Sequence, residues 1–204
     1  MRAGVRRLRF RMAMALAALA LVVGLGAACG GEEEADFTDT PTESATAGSQ
    51  WGLVLDGLVE SPLNLTPEDL SAMPKTTEYV ELYCVDYPTV PVEKGEWTGV
   101  RLGLLLEQAG VSPQAVKVAF YDDYGYSTDL TIATAMQEDV ILAYERDGVP
   151  LDENLRLVLP GKWGYKWISG VAHIELVDYD FTGVWESRGY PDEADITAEP
   201  SSPE

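Results

Sequence analysis

Between Trp51 and Glu186 the apolar residues come in short runs, punctuated by glycines, prolines and acidic residues. Short runs of that kind build strands and brief helices, not a long-helix bundle. Trp51 to Val59 reads as β-like, with Asp56-Gly57 as a turn signal inside it. Thr66-Pro67-Glu68-Asp69-Leu70 reads as a helix start. The hydroxyl caps, proline takes the first helical position, and the acids face the positive end of the dipole. Pro74 ends that helix. Thr77 to Cys84 alternates as a strand, and Leu102, Leu105, Leu106 and Ala109 recur at helical spacing with Gly110 as the stop.

The pattern then returns to strands. Val116 to Phe120 and Tyr126 to Leu130 flank a turn at Asp122-Asp123-Tyr124-Gly125 and suggest a hairpin, followed by a brief helix from Thr131 to Met136. Ile141 to Tyr144 and Leu155 to Leu159 are short strands on either side of the Asp147-Gly148 turn, and Ala172 to Tyr179 is a last strand. The order lacks βαβα alternation. It predicts an α+β domain, a mixed β-sheet with short helices, over residues 50–186. That length supports one sizeable core.

The flanks read differently. Arg2, Arg6, Arg7, Arg9 and Arg11 precede a run from Met12 to Ala28 made almost wholly of small and apolar residues. This is the pattern of a secretory signal, residues 1–28, and is too short and too rich in small residues for a permanent span. It ends Leu25-Gly26-Ala27-Ala28-Cys29, a lipobox-like sequence in which the Cys29 thiol would be lipidated. Residues 29–49 read as a disordered acidic tether and 187–204 as a flexible acidic tail. The expected location is therefore export, with a lipid anchor on the extracytoplasmic face of the cell membrane. Arg6-Arg7 hints at twin-arginine export, although Phe10 falls one place late for that pattern. The chain has 34 acidic residues against 14 basic ones and a formal net charge of −20, which excludes nucleic acid as a partner.

Few residues can carry chemistry. His173 is the single histidine and lies in a strand pattern, so zinc sites and Ser-His or Cys-His dyads lack partners. Asp122 and Asp123 are adjacent carboxylates, but on a turn, where aspartate serves the backbone. No glycine-rich phosphate loop and no Cys-x-x-Cys-His haem motif occur. Cys84 remains, in Tyr83-Cys84-Val85-Asp86. With Cys29 assigned to lipid it has no disulfide partner in the chain. Burial as a small hydrophobe is one reading. A soft thiolate ligand for a transition metal is the other.

The order of short motifs decides between them. Trp51, Asp56-Gly57, Thr66 to Leu70, Cys84-Val85, Trp97-Thr98-Gly99-Val100-Arg101-Leu102, Tyr144 to Leu151, Arg156 to Gly161, Gly164-Tyr165-Lys166-Trp167 and Gly183-Val184-Trp185-Glu186 follow one another in a characteristic spacing. In this the chain resembles the sulfite-oxidase-type molybdopterin-binding domain, in its small exported form. The resemblance implies that fold and a molybdenum-molybdopterin cofactor, with Cys84 as the metal ligand. It places Asp86 and Tyr126 near a small-molecule substrate. Asp147, Arg156, Gly164, Tyr165 and Lys166 fall at cofactor-binding positions. Arginine suits the phosphate end because its fork pairs two oxygens at once.

Three departures thin that phosphate end. Asp147 stands where relatives carry an asparagine, and Ser169-Gly170 where many carry a lysine. A His-Gly-Phe-Pro-type segment is replaced by Asp152-Glu153-Asn154. The resemblance thus implies an extracytoplasmic oxidoreductase doing two-electron oxygen-atom chemistry, exchanging electrons with a membrane or exported partner. The alternative is a lipoprotein binding module that keeps the fold without the cofactor.

Overall fold

The computed structural model describes residues 51–196. The signal, lipidation and tether expectations for residues 1–49 lie outside the described residues, as does 197–204. Ten strands form two sheets. The first takes β1 (Leu53–Gly57), β2 (Leu63–Leu65), β5 (Lys117–Asp122), β6 (Ser127–Thr131) and β10 (Val171–Val177), in the order β2-β1-β10-β5-β6. The second takes β3 (Lys75–Leu82), β4 (Glu93–Arg101), β7 (Ile141–Arg146), β8 (Val149–Pro150) and β9 (Arg156–Val158). Helices α1 (Pro67–Ala72), α2 (Leu102–Ala109) and α3 (Ile132–Ala135) are short. The α+β class stands, with two sheets where the sequence suggested one. The first is mixed, since β1 pairs β10 in parallel while its other ladders are antiparallel.

Local chemistry accounts for these elements. At α1 the Asp69 N–H donates to Thr66 Oγ1 (3.2 Å), and the Thr66 N–H donates to Asp69 Oδ2 (2.9 Å), a reciprocal capping box. Leu102, Leu105, Leu106 and Ala109 of α2 are fully buried, and Gly110 closes the helix in the left-handed region. They join Leu53, Leu55, Phe120, Ile174, Val100, Leu142 and Leu157 in one core drawn from both sheets. Burying each such aliphatic side chain contributes roughly 1.5–3 kcal/mol.

The sequence pattern misses β2, β4 and the two-residue β8. β4 is the centre of the second sheet, between β3 and β7. Its two glycines, its lysine and its glutamates hide it from a propensity reading. Gly99 is there for space. A Cβ at that position would lie 2.0 Å from the Leu142 carbonyl oxygen and 2.5 Å from Ala143 Cα, where the ladder shifts register. Gly99→Ala should therefore force β4 and β7 apart and cost about 3 kcal/mol or more, read as a lowered urea midpoint.

The ordered chain also runs past the expected boundary at 186. Asp192 bonds to Lys117 and Lys166, Ala194 is buried, and Lys162 pairs with Asp195. Residues 187–196, expected as part of a loose tail, are folded onto the domain.

Candidate functional site

Strand β3 ends at Leu82 and releases a tight loop in which the Tyr87 N–H donates to the Cys84 carbonyl (3.0 Å). The 3-10 turn Gly164–Lys166 closes on this loop, its Gly164 N–H donating to the Tyr83 carbonyl (2.8 Å). A Cβ on Gly164 would sit 3.0 Å from both that oxygen and Leu82 Cδ2, so glycine is what permits the approach. Beside the loop lies a cleft of about 460 Å³, within the range of small-molecule sites. Cys84, half-buried, lines it.

Cys84, Asp86, Tyr126, Arg156, Gly164 and Tyr165 all line this one cleft. Their sequence positions are widely separated, and the fold brings them together. The Tyr126 hydroxyl donates to the Tyr165 carbonyl, and the Tyr165 hydroxyl donates to the Pro191 carbonyl (2.6 Å). Burial, and then the negative charge of Glu186, pushes both phenols above the ordinary tyrosine range. Tyr126 is therefore a protonated phenol that fixes the cleft wall. It is not a ready base.

Arg156 is the one cation among the described lining residues. Its Nε and Nη2 both donate to Glu153 Oε1 (3.0 and 2.7 Å), and Glu93 lies 3.8 Å from Nη2. The guanidinium also borders a second, smaller cavity with Glu93 and Arg146, which pair with each other. Glu153, in the segment that replaces the family's usual one, thus occupies the arginine fork.

Two expected cofactor-binding residues lie elsewhere. Asp147 sits at φ 51° in the β7–β8 turn, and its Oδ1 accepts from the Glu96 N–H of β4 (2.9 Å). Its carboxylate is used to hold the sheet. Lys166 is 1% exposed and points into the domain, where its ammonium bonds Asp129 Oδ1 (3.1 Å), Glu186 Oε1 (2.8 Å) and Asp192 Oδ1 (2.9 Å). Lys117 joins the same group through Asp129 (2.5 Å) and Asp192 (2.6 Å). The buried acids demand compensation, and Lys166 supplies it. Neither residue reaches the cleft.

Charges in this network move together. Burial alone would lower both lysines, but the carboxylates outweigh it and hold them above the ordinary lysine value. Burial raises Asp129 despite its two lysines. For Asp192, closer to solvent, the hydrogen bonds from Lys117 and Lys166 win over burial and lower it. Asp129, Glu186 and Asp192 present oxygens within 4.8 Å of one another, the spacing of a cation site, but the two ammonium groups take that place.

The sequence reading did not assign Asp122, Ser169, Trp185 or Tyr190 to the site, and all four line the cleft. Trp185 and Tyr190 meet edge-on at 5.3 Å, as do Tyr190 and Tyr165. The motif around Gly183-Val184-Trp185-Glu186 was the available signal. His173 is a strand residue on β10 that pairs with Asp56 (2.8 Å) and stacks on Tyr121. It is not among the cleft residues.

Comparison with known proteins shows the family. Residues 38–185 match the oxidoreductase molybdopterin binding domain family. The chain is 30% identical over 147 residues to the uncharacterized oxidoreductase YuiH of Bacillus subtilis, covering 70% of this chain and 73% of that one. It is 30% identical over 178 residues to the protein-methionine-sulfoxide reductase catalytic subunit MsrP of Gluconobacter oxydans, covering 76% and 56%. Among solved structures it resembles the sulfane dehydrogenase SoxCD of Paracoccus pantotrophus, with a TM-score of 0.60 and 30% identity over 69% of this chain and 40% of that one. The chain belongs to the oxidoreductase molybdopterin-binding domain family, and its domain is of the sulfite-oxidase type.

The residues present fit the family's cofactor at its metal end. Cys84 lines a cleft of small-molecule size, and a cysteine thiolate is the kind of soft donor a dithiolene-bound metal takes. Arg156 is the cation of the described lining that could meet an anionic cofactor group, and its fork is engaged by Glu153.

Two outcomes follow from the buried network. Lys166→Met leaves Asp129 and Glu186 buried without that partner and should cost about 3–5 kcal/mol by urea denaturation. Asp192 is held below its ordinary value, so its stabilisation is present above about pH 3.9 and lost as pH falls through the depressed folded value. The stability gap between Asp192→Asn and the native protein should therefore be widest near neutrality and close in acid, measured by denaturation across pH.

Proposed function

We propose that the protein is a molybdopterin-dependent oxidoreductase of the sulfite-oxidase type that performs two-electron oxygen-atom chemistry on a small substrate outside the cytoplasm. The observation that carries this reading is that Cys84 and Arg156 line one cleft of about 460 Å³. The molybdenum would supply the redox change and the oxygen-transfer centre. The chain's own residues do the rest. Cys84 ligates, and Gly164 lets the 3-10 turn close over the cysteine loop. Arg156 pairs the phosphate, Tyr126 and Tyr165 hold the wall, and Asp86 stands at the exposed rim as a group that can contact substrate or hold a proton.

The export reading rests on Arg2 to Cys29, with lipid on Cys29 anchoring the domain to the membrane. Electrons would pass to or from a membrane or exported redox partner, since the sequence has no haem motif. The competing reading, a binding module that keeps the fold without its cofactor, is favoured by the engagement of Arg156 with Glu153 and the burial of Lys166.

Metal and pterin analysis of protein purified from a cofactor-making host separates the two. One molybdenum per chain is expected, and well-folded protein without molybdenum or pterin overturns the enzyme reading. Cys84→Ser should lose the metal while its melting transition stays cooperative. Metal retained at native stoichiometry would refute the ligand assignment.

A further inference from the structure

Arg156 stands where two cavities meet. It lines the cleft, and it also lines a polar cavity of about 260 Å³ with Glu93, Arg146, Asp152 and Glu153. Glu153 and Glu93 are not among the described cleft residues, yet both engage the guanidinium. Glu153 Oε1 accepts from Nε and Nη2 (3.0 and 2.7 Å). Glu93 Oε1 lies 3.8 Å from Nη2, and Glu93 Oε2 pairs with Arg146. The two arginines and two glutamates make a neutral group. The Arg156 side chain is 14% exposed and that of Glu153 27%, so the pair between them is shielded better than one at the open surface.

Trp97 supports both guanidiniums. Cζ of Arg146 lies 5.2 Å and Cζ of Arg156 6.0 Å from the centroid of this fully buried ring. Turning the Glu153 side chain into water therefore leaves Arg156 supported and gives the group one net positive charge. An incoming anion forms one ion pair for the one that is broken. A monoanion only restores what Glu153 supplied. A dianion meets the same displacement cost with twice the charge, and a phosphate monoester carries about −1.5 to −2 at neutral pH. The guanidinium in direct contact decides the sign. On the cleft side Asp86 is exposed and screened by water, and Asp122 Oδ1 accepts the Tyr124 and Tyr126 N–H groups.

We infer that Glu153 is a built-in competitor for Arg156 that sets a charge threshold, so that the site takes dianionic phosphate monoesters and turns away monoanions of the same shape. That the phosphate belongs to the cofactor rests on the enzyme reading above. The threshold does not, because Arg156, Glu153, Glu93 and Arg146 all belong to the polypeptide. Glu153 determines specificity through the arginine it occupies. Asp152 supplies an internal control, since it lines the same polar cavity but makes no bond to Arg156.

The test is calorimetric titration of the full chain from a host unable to make the cofactor, at about pH 7.5, above the second ionisation of a phosphate monoester. Phenyl phosphate and phenyl sulfate serve as probes, since they differ in charge and little in shape. Phenyl phosphate should bind at least tenfold more tightly than phenyl sulfate, and Arg156→Gln should abolish its binding. Glu153→Gln gives up no ion pair on binding, so both probes should strengthen by about tenfold, whereas Asp152→Asn should change either by less than twofold. If Glu153→Gln does not melt cooperatively, Glu153→Asp, which shortens the reach of the carboxylate, should strengthen phenyl phosphate by about threefold. Equal binding of the two probes overturns the inference, and so does an unchanged affinity in the Glu153 variant. Equal gains in Asp152→Asn, or phenyl phosphate binding that survives Arg156→Gln, also overturn it. Protein from a cofactor-making host that lacks molybdenum and pterin sinks the enzyme reading and leaves these affinities standing. If that protein carries molybdenum while the cofactor-free chain binds both probes equally, the threshold alone falls.

Discussion

Two buried lysines, the carboxylates of Asp129, Glu186 and Asp192, and the more exposed Asp180 beside Lys117 decide where the walls of the cleft stand. Asp129 comes from β6, Lys117 from β5, Lys166 from the 3-10 turn, and Glu186 and Asp192 from the segment after β10. Such a group is stable only when complete, because desolvating any one charge alone costs several kcal/mol. Completeness therefore forces three separate parts of the chain into one register. Tyr165 precedes Lys166, and Trp185 precedes Glu186, so fixing the charged residues fixes their aromatic neighbours on the cleft side. Thr128 adds a bond to Glu186 Oε1 (2.8 Å), which ties the hairpin to the same point.

This explains a division of labour among adjacent residues. Lys166 faces inward and Tyr165 outward, so a segment that looks like a cofactor clamp in sequence contributes its backbone and its tyrosine to the cleft and its lysine to the interior. Asp147 is similar. Its φ of 51° suits a tight turn, and its carboxylate then reaches the Glu96 N–H across the sheet. In both cases a charge that would act on a ligand is already used by the fold.

How much of this was legible follows from how local the determining contact is. The capping box of α1, the Gly110 stop and the β5–β6 hairpin depend on residues a few positions apart, and the sequence shows them. Strand β4 depends on a close backbone approach at Gly99, with partners more than forty positions away, and glycine there reads as a strand breaker. Cys84, Asp86, Tyr126, Arg156, Gly164 and Tyr165 were identifiable by motif, and the structure places them together. The inward turn of Lys166 was not. It is set by Asp129 and Asp192, one in a strand and one in a stretch that composition alone marks as tail.

The phosphate end is thus governed by competition within the protein. Asp147 and Lys166 are committed elsewhere, and Ser169 offers no charge, so Arg156 is the group left. Its fork already rests on Glu153, at a charge-assisted distance of 2.7 Å. On the proposed reading, a cofactor phosphate at Arg156 would have to displace that carboxylate, and the gain would be the difference between two ion pairs, not a whole one. Affinity then depends more heavily on what Cys84 and the cleft walls provide. Glu153 keeps Arg156 paired when no phosphate is present, so the one cation of the described cleft lining is compensated. The domain is self-consistent without the cofactor, and its retention of Cys84 on the same cleft equips it to hold one.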